Sequence, residues 1–101
     1  MFVPKAPVVL TRAAQRDLRE IAIYTLQQWG EEQWATYRTA LNRALTTIGD
    51  NPQIGRSRDD IRVGYRSFAI EQHLILYRVT AKAVVVSRIV HSRKNIRRAL
   101  R

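Results

Sequence analysis

The sequence predicts an α+β fold in which a helical hairpin packs on one face of a small, mainly antiparallel sheet. Two observations predict this class. Residues 11–50 carry apolar residues at helical spacing in two segments, and residues 64–90 contain three short apolar runs separated by tight links. The predicted element order is therefore β-α-α-β-β-β. A length of 101 residues suits one hydrophobic core, so we expect a single domain over residues 1–101.

The first half of the chain is predicted to form one strand and two helices. Residues 8–10 are a short apolar strand, and Thr11 can cap the following helix with its hydroxyl. That helix ends at Gly30, and the second helix begins at Glu31 and stops around Gly49. The connection is so short that the helices must run antiparallel. The predicted apolar faces are Leu18, Ile21, Ala22, Thr25 and Trp29, then Trp34, Tyr37, Leu41, Ala44, Leu45 and Ile48.

The second half is predicted to form a β-meander. A loop rich in turn-forming residues covers residues 50–63, and three strands follow at residues 64–70, 73–79 and 83–90. Because the links between these strands have only two or three residues, hairpins and antiparallel pairing are favoured. The basic tail from Ser92 to Arg101 can form a final helical turn.

Each meander strand contributes one arginine: Arg66, Arg78 and Arg88. In the third strand, strict alternation places Arg88 on one face, and Ile89 and His91 on the other. Both faces of the predicted sheet are mainly apolar. We therefore expect a partner to cover the face that the helices leave available, although the pattern does not identify which face that is.

The net charge of +10 is concentrated in the second half of the chain. Residues 1–50 contain six basic and five acidic residues, whereas residues 51–101 contain twelve basic and three acidic residues. Fifteen of the eighteen basic residues are arginine, whose guanidinium group binds carboxylates and phosphates through two hydrogen bonds. The second half is therefore predicted to bind an acidic protein segment or a nucleic acid.

Several functional classes are disfavoured by composition. The chain has no cysteine and only two histidines, so we expect no disulfide, metal or cofactor site. It lacks a glycine-rich phosphate loop and the common hydrolase motifs. It also lacks an apolar run long enough to span a membrane and a signal peptide, so we expect a cytoplasmic protein.

Five segments together carry a resemblance to a known family. They are LTRAAQRDLREI at residues 10–21, NPQIGR at 51–56, RSF at 66–68, LILYRV at 74–79 and RIVHSR at 88–93. In their order and spacing, over about residues 8–97, the chain resembles the ParE branch of the RelE/ParE toxin superfamily. These proteins are the toxin halves of bacterial type II toxin–antitoxin modules, and the resemblance implies the same β-α-α-β-β-β fold.

The resemblance implies one of two activities. RelE-like members are ribosome-dependent mRNA endonucleases, whereas ParE-like members are described as DNA gyrase inhibitors. The nuclease branch usually has an arginine at the position of Leu74, another at the position of Arg93 and a tyrosine in the terminal helix. Residues 95–100 contain no tyrosine. Gyrase inhibition is therefore favoured, and the nuclease is the alternative, with Arg93 stabilising charge and His91 moving a proton.

The resemblance also implies partners: DNA gyrase, and an acidic ParD-like antitoxin that forms a hetero-oligomer with the toxin. We expect the functional surface to act by ion pairing and orientation. A bare nucleic-acid-binding module and an inactive toxin retained as a complex partner are further alternatives. The predicted partner-binding residues are Arg56, Arg58, Arg66, Arg78, Arg88, His91 and Arg93.

Overall fold

The computed structural model describes residues 6–92 as two helices packed on a five-stranded mixed sheet. The strand order is β1-β5-β4-β3-β2, with β1 parallel to β5 and all other pairs antiparallel. This confirms the predicted α+β class. The elements are β1 (Val8–Leu10), α1 (Arg12–Trp29), α2 (Glu31–Asp50), β2 (Arg56–Ser57), β3 (Tyr65–Ile70), β4 (His73–Val79) and β5 (Val84–His91).

The element boundaries differ from the prediction in four places, one of which is that β3 begins at Tyr65 and not at residue 64. The two-residue strand β2 lies inside the predicted loop, where it pairs with Arg66 and Ser67 of β3. Helix α2 continues through Gly49, whose carbonyl accepts a hydrogen bond from Ala6 N (3.0 Å), and ends one residue later. Strand β5 begins and ends one residue after the predicted limits. The predicted helical turn of the tail lies outside the described residues, except for Ser92.

A β-bulge changes which side chains of β5 face the helices. Tyr77 pairs with Val86 and Leu76 pairs with Arg88, so Ser87 is left without a partner in the register. The extra residue reverses the alternation along the rest of the strand. Ile89 therefore joins Val86 in the core beneath the helices, whereas strict alternation separates these two residues.

The helices cover one face of the sheet with the apolar faces that their spacing predicts. Ala14, Leu41 and Ile48 are buried against sheet residues that include Ile75 and Val84. Burial of such side chains stabilises the fold by about 1.5–3 kcal/mol each. Trp29 is an exception to the predicted core, because 69% of its surface is exposed at the end of α1.

The opposite face of the sheet is closed at its centre. Leu76 and Val90 are 0% and 2% exposed, although they point away from the core beneath the helices. Ser87 Oγ donates to Tyr65 Oη (3.2 Å), and the Tyr65 ring must pass over β4 to reach β5. The centre of this face is therefore buried within the folded chain, whereas Arg56, Ala69 and Arg78 are exposed on it. That a partner covers this face stays a prediction.

A carboxylate joins α1 to the bulged part of β5. Asp17 is 8% exposed and accepts two hydrogen bonds from the Arg88 guanidinium (2.7 and 2.9 Å) and one from Ile89 N (3.0 Å). At the start of the helix, Thr11 Oγ1 accepts from Ala14 N (3.1 Å) and donates to Ser87 O (2.8 Å). The first two turns of α1 are thereby fixed against β5.

A tyrosine fixes the segment that follows α2. Tyr77 is fully buried; its hydroxyl donates to Pro52 O (2.8 Å) and accepts from Gly55 N (2.8 Å). Burial raises the pKa of Tyr77, although the hydrogen bond from Gly55 and the charge of Arg66 oppose the shift. A Cβ on Gly55 would lie only 2.7 Å from Tyr77 Cε1, so glycine is required for this close approach.

We expect Asp17→Asn to lower the free energy of unfolding by about 3 kcal/mol, because Arg88 then lacks its counter-charge in a largely buried position. Urea denaturation measures the loss. The matched control is Asp60→Asn, since Asp60 pairs with Arg58 but its side chain is 51% exposed. That substitution should cost less than about 1 kcal/mol. Equal losses for the two variants would show that the Asp17–Arg88 pair has no special structural role.

We expect Tyr77→Phe to lower the free energy of unfolding by about 2 kcal/mol, because Gly55 N and Pro52 O both lose their buried partner. Tyr24→Phe is the control, since Tyr24 is 61% exposed, and it should change stability by less than about 0.5 kcal/mol. Chemical denaturation of both variants provides the comparison. A stability of Tyr77→Phe equal to that of the native chain would contradict the assigned role of this hydroxyl.

Candidate protein interaction surfaces

The structure uses three of the predicted surface arginines in internal contacts. Arg88 binds Asp17, and this hydrogen bond raises the pKa of the Arg88 guanidinium. Arg66 donates to Gly55 O (2.7 Å) and to both the carbonyl and the side chain of Gln53. Arg58 pairs with Asp60 through two hydrogen bonds of 3.1 and 3.3 Å. These contacts shape the loop and the helix–sheet junction.

Two other predicted residues, Arg56 and Arg78, are exposed on the rim of the face that lies away from the helices. Arg56 pairs in register with Ser67, and Arg78 pairs with Tyr65, which lies two residues before Ser67 on the same face. The Arg62 guanidinium lies over the Tyr65 ring, 5.7 Å from its centroid. Arg56, Arg62 and Arg78 thus surround Tyr65, and we name this group the arginine platform.

Arg62 is absent from the residues that the sequence predicts as partner-binding. In the sequence it is one of several arginines beside two loop acids, and only the fold brings it onto an aromatic ring. The pattern of an arginine three residues before a strand tyrosine could have indicated stacking, but a loop residue has no fixed direction without the tertiary structure.

His91 lies in an aromatic cluster at the other end of the sheet. It pairs in register with His73, and the two rings meet edge to face with centroids 5.6 Å apart. The rings of Tyr37 of α2 and His73 meet with centroids 5.5 Å apart, and Tyr37 Oη shares a hydrogen bond of 2.5 Å with His73 Nδ1. Burial, with a smaller effect of Glu71, raises the pKa of Tyr37 to about 12, so the hydroxyl keeps its proton.

Burial also lowers the pKa of His73, and the nearby His91 contributes in the same direction. The hydrogen bond between Tyr37 and His73, whose direction depends on the histidine tautomer, ties α2 to the sheet. Among residues 6–92, no three histidine or acidic side chains are grouped so as to hold a metal ion. Arg93, the last predicted surface residue, lies outside the described part of the chain. The catalytic role considered for it therefore stays a prediction.

An exposed apolar surface occupies the outer side of α1. Ile23 (49% exposed), Leu26 (40%) and Trp29 (69%) are spaced at i, i+3 and i+6, so they form one stripe. We name these three residues the hairpin patch. Helical spacing applied to Ile23 and Leu26, which lie outside the predicted core face, could have identified part of the stripe from the sequence, whereas the spacing assigns Trp29 to that core face.

The arginine platform and the hairpin patch lie at opposite ends of the molecule. Tyr37, in the second turn of α2, contacts His73 at one end of the sheet, so the helical hairpin turns at this end. Gly49, near the end of α2, contacts Ala6 beside the start of β1. The Gly49–Ala6 contact therefore marks the opposite end of the molecule, and Arg78, near the end of β4, lies at that end. Two partners could therefore occupy separate surfaces.

Comparison with known proteins identifies related sequences along nearly the whole chain. The family model described as the ParE toxin of the type II toxin–antitoxin system, parDE, matches residues 8–96. Toxin ParE1 of Mycobacterium tuberculosis is 39% identical over 93 residues, which cover 91% of this chain and 95% of the relative. Toxin ParE1 of Caulobacter vibrioides is 35% identical over 91 residues, which cover 90% and 94%.

A solved structure described as the chromosomal ParDE TA system from P. aeruginosa has a similar fold. Its TM-score is 0.74 at 20% sequence identity, with 86% of this chain and 96% of that chain covered. This similarity supports the fold. Within residues 6–92, neither helix is long and apolar enough to cross a membrane.

The histidine cluster generates a pH prediction. Because the folded-state pKa of His73 lies below its unfolded value of about 6.5, its contribution to stability is complete above pH 6.5 and is lost as pH falls through the folded-state pKa. We expect the free energy of unfolding to decline on acidification below pH 6.5, and to decline less steeply in His73→Gln. Denaturant titrations from pH 7.5 to 5 measure the slopes, and equal slopes would contradict the prediction.

Proposed function

The chain belongs to the ParE toxin family of type II toxin–antitoxin systems, and we propose that it inhibits DNA gyrase and is held inactive by a cognate ParD-like antitoxin. The observation that carries the proposal is the family match over residues 8–96. Leu74 adds support, because the nuclease branch usually has an arginine at this position. This proposal places the toxin in the cytoplasm, where DNA gyrase acts on the chromosome.

The hairpin patch is the proposed anchor for the antitoxin. Ile23, Leu26 and Trp29 present apolar surface that gains stability when a partner helix or extended segment covers it. Charge is a second property that favours antitoxin binding. Residues 51–101 carry four times as many basic as acidic residues and therefore attract an acidic segment. Apolar residues of the antitoxin therefore bind α1, and its acidic residues extend towards the exposed Arg56 and Arg78. A partly disordered antitoxin would fold on this surface.

Arg58, Arg66 and Arg88 support this surface indirectly. Arg66 and Arg58 hold the loop that carries Arg56 in place, while Arg88 fixes α1 and hence the hairpin patch. Ion pairing and orientation are the proposed roles of the arginines and of His91.

Expression of the toxin without its antitoxin tests the proposed activity. Gyrase inhibition should produce filamentous cells and DNA-damage signalling, and the purified toxin should inhibit supercoiling by purified gyrase. Rapid translation arrest with codon-positioned mRNA cuts would instead support the ribosome-dependent nuclease. A toxin that binds duplex DNA with a steep salt dependence and harms no cells would support a nucleic-acid-binding module. Growth without any defect would point to an inactive toxin.

We expect Trp29→Ser to weaken antitoxin binding by about 30-fold, because a large exposed aromatic residue at the centre of an interface commonly contributes about 2 kcal/mol. Calorimetry with the purified cognate antitoxin measures the dissociation constant. Gln28→Ser is the matched control, since Gln28 is an exposed neighbour on a different side of α1, and it should change affinity less than twofold. An unchanged affinity for Trp29→Ser would exclude the hairpin patch as the anchor.

A further inference from the structure

The loop between β2 and β3 is held rigid by its own hydrogen bonds. Arg58 N donates to Tyr65 O (2.7 Å), which closes the loop at its base. Within it, Arg62 N donates to Arg58 O (3.2 Å), and Gly64 N donates to the Asp59 carboxylate (2.8 Å). Gly64 has a φ of 87°, a conformation that glycine adopts without strain. The loop is therefore preorganised in one shape.

This loop exposes an apolar side chain next to the glycine that turns into β3. Val63 is 85% exposed, the largest exposed fraction among the large hydrophobic residues of the described chain. Its neighbours in sequence are Arg62, which stacks on Tyr65, and Gly64, which sets the turn. Because its side chain stays in water, Val63 adds no burial free energy to the stability of the fold.

The acidic residues of the loop are engaged within the loop. Asp59 caps Gly64 N, and Asp60 binds the Arg58 guanidinium. Asp60 offsets Arg58, and the exposed Asp59 keeps its negative charge against four further cations at this end of the molecule, which are Arg56, Arg62, Arg78 and Lys82 of the β4–β5 turn. The apolar side chain of Val63 beside the arginine platform fits a partner surface that has an apolar pocket and acidic surroundings.

We propose that Val63 and the arginine platform form the surface that grips the protein target of the toxin. This inference rests on the proposed function, under which that target is DNA gyrase, and it assigns the contact to an acidic gyrase surface with a shallow apolar pocket for Val63. The hairpin patch, at the opposite end of the molecule, remains the anchor of the antitoxin. An antitoxin bound there blocks the target by its bulk and by its acidic residues.

The composition of the surface favours a protein over a nucleic acid. Protein interfaces are enriched in arginine and depleted in lysine, and they centre on a buried apolar residue. Three of the four cations here are arginines: Arg56, Arg62 and Arg78. Val63 offers a nucleic-acid backbone no hydrogen bond, whereas the pocket of a protein partner removes its side chain from water.

The test compares Val63→Asp, Val63→Ile and Thr39→Asp in the full-length toxin. Val63→Asp places a charge at the proposed contact, Val63→Ile preserves the apolar side chain, and Thr39→Asp adds the same charge on exposed α2 surface. Inhibition of gyrase supercoiling gives the concentration needed for half-inhibition. Calorimetry gives antitoxin affinity, and circular dichroism checks that each variant is folded. Because Val63 is exposed, we expect its substitutions to leave the fold intact.

We expect Val63→Asp to raise the half-inhibitory concentration by about 30-fold or more. Antitoxin affinity should fall by a smaller factor, because the antitoxin is anchored on the hairpin patch and only its acidic residues reach Arg56 and Arg78. Val63→Ile and Thr39→Asp should inhibit like the native toxin. If the native toxin inhibits gyrase and Val63→Asp inhibits equally well, the contact assignment is overturned and the proposed function stands. If the native toxin does not inhibit gyrase, both fail. If Val63→Asp instead loses affinity for duplex DNA in a gel-shift assay with gyrase binding intact, the surface binds nucleic acid and the protein assignment is overturned.

Discussion

The buried carboxylate of Asp17 is the interaction on which the arrangement of helices and sheet depends. It receives the Arg88 guanidinium and the Ile89 amide at the point where the β-bulge interrupts regular pairing in β5. The bulge brings Ile89 under the helices, and the carboxylate fixes α1 over it. Because α1 and α2 form one hairpin, this single contact also sets the direction in which the apolar stripe of α1 faces the solvent.

At the other end of the molecule, Tyr77 and Arg66 fix the segment after α2 in the same way. One side chain uses a buried hydroxyl and the other a guanidinium, and both bind the backbone around Gly55. The strand that follows can then carry Arg56 on the sheet edge. The arginines therefore fall into two groups. Those directed inward position the loop and the helix, and those at the rim, Arg56, Arg62 and Arg78, present positive charge to the solvent.

The two ends of the toxin consequently differ in chemistry. The helical-hairpin end carries exposed apolar residues such as Trp29, and the loop end carries the arginine platform with the exposed Val63. Under the proposed function, the apolar anchor of the antitoxin and the Val63 contact of the target are separated by the length of the sheet. Both depend on the same core, which is built from residues such as Ile75 and Val84.

The sequence by itself determined the α+β class, both helices, the three meander strands and the family, because periodicity and local turn residues act over short distances. Only the tertiary structure decided that Arg88 faces Asp17, that Ile89 enters the core and that Arg62 stacks on Tyr65. The first contact joins residues 71 positions apart, and the second depends on a one-residue bulge that alternation cannot register. An arginine has the same side chain in either role, and its burial and partners, which exist only in the folded chain, determine whether it supports the fold or faces a partner.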